Sequence, residues 1–404
     1  MKIELVTALC PVCGHSIAAP FFNAGKQTLA TLAWPASAEA ARALPRYPLD
    51  FVQCPACSHV WNPAFDYDAI PYKSNPNRMF NKGDIWKGHM ATTRDTLLAL
   101  PLPPSPVMVE VGCGEGHFVR GLSEARHNGR FVGFDPNASP ETGQGVEFYA
   151  KLFEPLIDMP AFSPDVVVIR HVLEHFIEPA GLLEQLAWGA TNLGKPCWLF
   201  AEVPCIDRVF ETDRLADFFY EHASHFTTES FRTLMMRAGE VVELAHGYNG
   251  EVVYAIVKLE VPEGRKTRAA DAHAFAERTI NTRQNIAAQL ASLATSGKQV
   301  AIWGGTGKAA AFIHYFDADA SRFPLVVDSD PEKAGTFVPG TGQKIEFRDV
   351  LKTSPVDVVI IPTQWRAKDI VAEMESCRIH AKTILIEHQG RLVDYLNGDH
   401  PYNK

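Results

Sequence analysis

Three glycines at alternate positions, Gly112, Gly114 and Gly116, follow directly on the apolar run Val107–Val111. A strand that empties into such a turn and then into helical spacing makes a backbone-lined cradle, because glycine permits the tight turn and close approach of a ligand. Further apolar runs at 131–134, 166–169 and 198–203 alternate with helical stretches, and a helical pattern at 76–100 precedes them. This grammar predicts a parallel sheet flanked by helices. The run at 131–134 ends in Asp135, where an acid reaches ribose hydroxyls. Glu110 stands two residues before the first glycine. A dinucleotide site would show GxGxxG and open onto pyrophosphate; here the spacing is GxGxG, and an acid before it suits a cation instead.

The run Glu110-Val-Gly112-Cys-Gly114-Glu-Gly116 resembles motif I of class I S-adenosylmethionine-dependent methyltransferases, over about residues 85–240. The resemblance implies that Glu110, Gly112, Gly114 and Gly116 line the methionine part of S-adenosylmethionine and that Asp135 holds its ribose. The stretch 165–175, with Arg170-His171-Val-Leu-Glu174-His175, resembles the family's fourth strand. It would place His171 or His175 at the carboxyl end of the sheet, where open α/β sheets bind ligands.

Two short cysteine pairs, Cys10-Pro-Val-Cys13 and Cys54-Pro-Ala-Cys57, each aim two thiolates at one point. Four thiolates make a closed tetrahedral shell for a structural Zn²⁺, with no position left for water or substrate. His15 and His59 lie nearby and are read as surface histidines. Cys113, Cys197, Cys205 and Cys377 stand alone in or beside apolar runs and are read as small core residues. The N-terminal segment lacks the pattern of a secretory signal, and no apolar run approaches the ~20 residues of a membrane span. A cytoplasmic protein with reduced thiols is expected. The net charge of −9 offers no basic field for nucleic acid.

The segment Phe218-Phe-Tyr220-Glu221-His222-Ala-Ser-His225 sets an acid beside an imidazole, a pairing suited to general-base work if the backbone there is irregular. With the cysteine pairs before it and a second α/β unit after it, the layout resembles three-domain sugar C-methyltransferases acting on nucleotide-linked keto-deoxysugars. That resemblance implies His222 as the base, Glu221 as its partner, and His175 and Tyr72 near the sugar. Methyl transfer to oxygen or nitrogen of another small metabolite, or a binding protein that keeps the methyltransferase fold without turnover, is the alternative reading, and two departures bear on the acceptor. Phe219 stands where the family has a tyrosine two residues before the pair, and Asn249-Gly250-Glu251 replaces a Gly-Gly-Ser stretch.

The 404 residues exceed one ordinary core of ~100–200 residues. The expected division is a zinc-binding module at 1–75, a class I methyltransferase Rossmann-like domain at 76–264, and a C-terminal Rossmann-like α/β domain at 265–404. The last begins with a long helix over 269–293 and continues with strands near 300–303, 325–327, 358–361 and 383–386. Its Gly304-Gly305-Thr-Gly307-Lys308 turn fails the spacing of a phosphate loop, so ATP hydrolysis is not expected. A monomer or weak homodimer acting on a small molecule is the expected assembly.

Overall fold

The computed structural model describes residues 3–31, 34–71, 82–138 and 145–403. They divide into two compact units, Met1–Glu263 and Gly264–Lys404.

The strands of the first unit are β1 (Val6–Thr7), β2 (Ile17–Gln27), β3 (Tyr47–Gln53), β4 (Val60–Trp61), β5 (Val107–Val111), β6 (Arg130–Phe134), β7 (Val146–Tyr149), β8 (Val166–Arg170), β9 (Trp198–Pro204), β10 (Ser224–His225), β11 (Gly239–Gly247) and β12 (Val252–Leu259). They form two sheets. The larger runs β11-β12-β9-β8-β5-β6-β7, parallel except for the antiparallel hairpin β11–β12 at one edge. All five residues of β8 are buried, as expected of a strand covered by helices on both faces. The order reverses between the adjacent strands β5 and β8, which opens a crevice at their carboxyl ends. The glycine turn leaves β5 at that point, and residues 171–175 leave β8 beside it. The helix expected over 76–100 is Asp84–Leu98, and residues 72–81 lie outside the described part.

The smaller sheet is antiparallel, in the order β1-β2-β3-β4-β10. Its last strand comes from far along the chain. Ser224 and His225 pair with Trp61 and Val60, so the segment carrying Glu221 and His222 is stitched to the cysteine-bearing module.

The second unit opens with a helix over Glu263–Thr295, a turn or more longer at its N-terminus than the helical pattern alone indicated. Ile286 and Leu290, in its C-terminal half, are its buried residues. They pack with Ile302, Phe312, Ile313 and Val326 in a core belonging to this unit. The sheet comprises β13 (Val300–Trp303), β14 (Leu325–Asp328), β15 (Ile345–Phe347), β16 (Val358–Ile361), β17 (Thr383–His388) and β18 (Arg391–Asp394), in the order β15-β14-β13-β16-β17-β18. It is parallel apart from β18. No described helix is long and apolar enough to cross a membrane.

Candidate active site and thiolate cluster

The two cysteine pairs adopt matching turns. Gly14 N–H donates to Cys10 O at 3.0 Å, and Ser58 N–H donates to Cys54 O at 2.9 Å. Both residues after the second cysteine take left-handed backbone, Gly14 at φ +78° and Ser58 at φ +62°. The turns bring the sulfurs of Cys10, Cys13, Cys54 and Cys57 within 4.8 Å of one another. Cys10 Sγ lies 3.6 Å from Cys57 Sγ, and Cys13 Sγ 3.5 Å from Cys54 Sγ. Metal–sulfur bonds of ~2.3 Å at tetrahedral angles require separations of about 3.8 Å, so the donor set fits a zinc ion. Burial pushes the Cys54 thiol up to about 11, a cost that a bound dication would reverse. His59 corrects the sequence reading: it is fully buried rather than superficial, stacks on Trp61, and meets Ser224 Oγ at 3.2 Å. Burial holds its imidazole down near 3. Cys113, Cys197 and Cys205 are buried as expected, whereas Cys377 is only partly so.

At the glycine turn, Gly112 (φ +73°) and Gly116 (φ +76°) admit no side chain: a Cβ would fall 2.2 Å from Val172 and 2.4 Å from Phe148. Over Gly114 the space is open. Asp135, at the end of β6, accepts from Gly114 N–H at 3.1 Å and Asn137 N–H at 2.7 Å, which fixes it at the lip of the turn. Glu110 is buried on β5 and accepts from Val119 N–H at 3.1 Å, in the first turn of the helix His117–Ala125. Burial raises its carboxyl to about 7 despite the pull of Arg170. A cationic ligand would restore its charge, so the turn fits the sulfonium and ammonium groups of S-adenosylmethionine.

Residues 171–175 and 217–226 meet at the carboxyl end of β8. His175 Nδ1 lies 2.8 Å from the Glu221 carbonyl oxygen, and its ring stands edge-on to His222 with centroids 4.9 Å apart. Phe219 packs against His222 at 4.1 Å and His225 lies 5.8 Å away. Burial, then the neighbouring His175, His225 and His171, holds the His222 imidazole well below the usual histidine range. The expected Glu221–His222 partnership is not formed. Glu221 Oε1 instead accepts from Thr31 N–H at 2.6 Å and Thr31 Oγ1 at 3.2 Å, because adjacent side chains point apart. Tyr220 is a core residue whose hydroxyl accepts from Asp66 N–H at 2.9 Å. Tyr72 lies outside the described residues.

A buried ionic network lies beside this crevice; the sequence pointed to its 170–174 stretch but not to Glu202 or His89. Glu202 on β9 accepts from Arg170 Nη2 at 2.7 Å and faces His89 Nε2 at 2.8 Å. His171 Nε2 sits 3.2 Å from Glu202 and its Nδ1 3.7 Å from Glu174. Burial opposes charge on His171, but these two carboxylates outweigh it and raise the imidazole to about 9. His171 is also held at φ +53°, a conformation that turns the chain sharply out of β8. Glu174 was within the sequence motif, but without geometry nothing distinguished it from a helix-start acid.

Two protein-family models match. A methyltransferase domain covers residues 87–244, and a C-methyltransferase C-terminal domain covers residues 233–386. The chain is an S-adenosylmethionine-dependent methyltransferase. No curated protein sequence matches this methyltransferase. Among solved structures it is similar to a chain of the complex between the Haloferax volcanii Trm112 methyltransferase activator and a methyltransferase, at 16% identity and TM-score 0.34, over 44% of this chain and 92% of that one. It is similar to N,N-8-amino-8-demethyl-D-riboflavin dimethyltransferase from Streptomyces davawensis, at 20% identity and TM-score 0.33, over 44% and 55%. Human N-acetylserotonin methyltransferase, in complex with S-adenosylmethionine, matches at 11% identity and TM-score 0.33, over 49% and 63%. Similarities this distant bear on neither substrate nor chemistry.

Proposed function

We propose that this methyltransferase transfers a methyl group to carbon of a nucleotide-linked keto-deoxysugar, with His222 as the base. The observation that carries the reading is a partly buried imidazole, held well below the usual histidine range, at the carboxyl end of the sheet that bears the glycine turn. An oxygen or nitrogen acceptor already has a lone pair, whereas carbon next to a ketone must first lose a proton. The match of residues 233–386 to a C-methyltransferase C-terminal domain supports the same reading.

S-adenosylmethionine supplies the electrophilic methyl. Glu110, Gly112, Gly114 and Gly116 would hold its methionine part, and Asp135 its ribose. His222 takes the proton from the carbon beside the ketone; His175, fixed on the Glu221 carbonyl, keeps that ring in place. Tyr72 would approach the sugar. Cys10, Cys13, Cys54 and Cys57 would hold one structural zinc, away from the chemistry. The division into a zinc module, a methyltransferase domain and a C-terminal α/β domain, in a cytoplasmic protein acting on a small molecule, completes the proposal.

The test is incubation with S-adenosylmethionine and a panel of nucleotide-linked keto-deoxysugars in deuterated water. A C-methylated product is expected, with deuterium entering the substrate's α-position. His222→Asn should keep cofactor affinity and lower turnover at least ~10²-fold. An O- or N-methylated product overturns the carbon acceptor, and near-normal turnover of His222→Asn removes the base.

A further inference from the structure

Glu174 lies in the short helical turn Leu173–His175 that follows β8. It is 2% exposed, and its Oε2 is buried without a hydrogen bond. A carboxylate oxygen, one nitrogen of His175 and one of His222 lie within 4.8 Å of one another. A buried acceptor with an unmet valence is costly to take out of water. The cost is recovered whenever a neighbouring imidazole gains a proton and presents an N–H or a positive charge. Glu221, the sequence neighbour of His222, is placed differently: its Oε1 is spent on Thr31, and the carboxylate gathered with His175 and His222 is that of Glu174. The other nearby carboxylate, Glu202, is bound to Arg170 and His89.

We propose that Glu174, not Glu221, is the positioning residue that supports the His222 base. The inference rests on His222 being that base. When the substrate's C–H bond breaks, the proton passes to the His222 ring and the electron pair to the enolate. The resulting imidazolium has His175, His171 and His225 around it, each of which opposes its charge when protonated. Glu174, which also faces His171, is the anion that the turn after β8 brings to this cluster, and it sets a carboxylate against the new positive charge. His171, with φ +53°, stands where the chain leaves β8 and leads into the turn that carries Glu174. Glu221 has a bracing role: through Thr31 it ties the 217–226 segment to the N-terminal module.

The experiment uses full-length, metal-replete protein labelled with ¹⁵N-histidine. His222 resonances, assigned with His222→Asn, are followed between about pH 5 and 9 in the parent, Glu174→Gln and Glu221→Gln. Glu174→Gln should move the His222 ring nitrogens and any titration to lower pH by about one unit, about tenfold in proton affinity. Glu221→Gln should leave them near the parent. With a turned-over keto-sugar, Glu174→Gln should lower kcat at least ~10-fold with KM little changed. The low-pH limb of its rate profile should move in the same direction, and Glu174→Asp should recover part of the loss. Unchanged S-adenosylmethionine affinity and a single cooperative thermal transition exclude simple unfolding. His222 resonances identical in the parent and Glu174→Gln overturn the proposal, as does a Glu221→Gln shift that equals or exceeds it. Normal turnover of His222→Asn is a different failure, of the base itself.

Discussion

At the residue scale, the acid at the lip of the glycine turn is placed by the backbone around it. Asp135 is only partly buried and is held by two backbone N–H groups, so its role is to present oxygen at the lip of the turn. Asp135→Ala should weaken S-adenosylmethionine binding by ~1–3 kcal/mol, measured by titration calorimetry; an unchanged affinity would remove Asp135 from the cofactor site. His171 makes a second prediction, in pH. Its folded-state pKa is raised, from the ordinary 6.5 to about 9, because Glu174 and Glu202 outweigh the penalty of burial. A raised value means that the folded state binds the proton more tightly than the unfolded chain. The stabilisation is complete below 6.5 and drains away as pH climbs through about 9. The thermal midpoint should therefore fall across that window, and His171→Asn should flatten the fall. A parent and variant with parallel curves would show that His171 carries no such linkage. The glycines and Asp135 were legible in sequence because backbone demands leave residue-type signatures. The network of Glu202, Arg170 and His89 was not, since its members lie on three separate elements and each is unremarkable in its own run.

At the element scale, the parallel strands and the long helix announced themselves through apolar runs and helical spacing. β4 and β10 did not: strands of two residues carry no periodicity, and their pairing is set by tertiary contacts alone. That pairing nonetheless decides where His222 sits. His59 shows the same limit, for its burial follows from the sheet it joins and from Ser224, not from its neighbours in sequence. The consequence is a prediction about metal. Elemental analysis should find about one zinc per chain. Its removal by a chelator should raise hydrogen exchange in β3, β4 and β10 and extend that loosening through residues 217–227. Turnover should drop, while S-adenosylmethionine affinity stays near the parent value, because the core on one face of the β5–β9 sheet contains no residue of the cysteine-bearing module. A fully active, metal-free enzyme would sever the link between the thiolate cluster and the crevice.

At the scale of the whole molecule, both compact units contain what a separate domain needs. Met1–Glu263 holds the thiolate cluster, the glycine turn, Asp135 and the histidine cluster, and its sheets bury continuous apolar cores. Gly264–Lys404 buries Ile302, Phe312, Ile313 and Val326 on one side of its sheet, and Trp303, Val359, Ile361 and Ile370 on the other. A hydrophobic core on each face of a sheet is the condition for independent folding of an α/β layer. The chain cut after Glu263 should therefore give two soluble fragments, each with a cooperative thermal transition. The first should bind S-adenosylmethionine within about threefold of the full chain, a difference below ~1 kcal/mol, since every residue assigned to the cofactor lies in it. Methyl transfer to the sugar is a stricter demand, and comparing the fragment with the full chain divides the possibilities. If cofactor binding and turnover both persist, the C-terminal unit is dispensable for the chemistry. If binding persists and turnover fails, the second unit contributes to the acceptor step. Loss of cofactor binding in a folded first fragment would show that the glycine turn and Asp135 are not a self-sufficient site, and would overturn their assignment as the complete set.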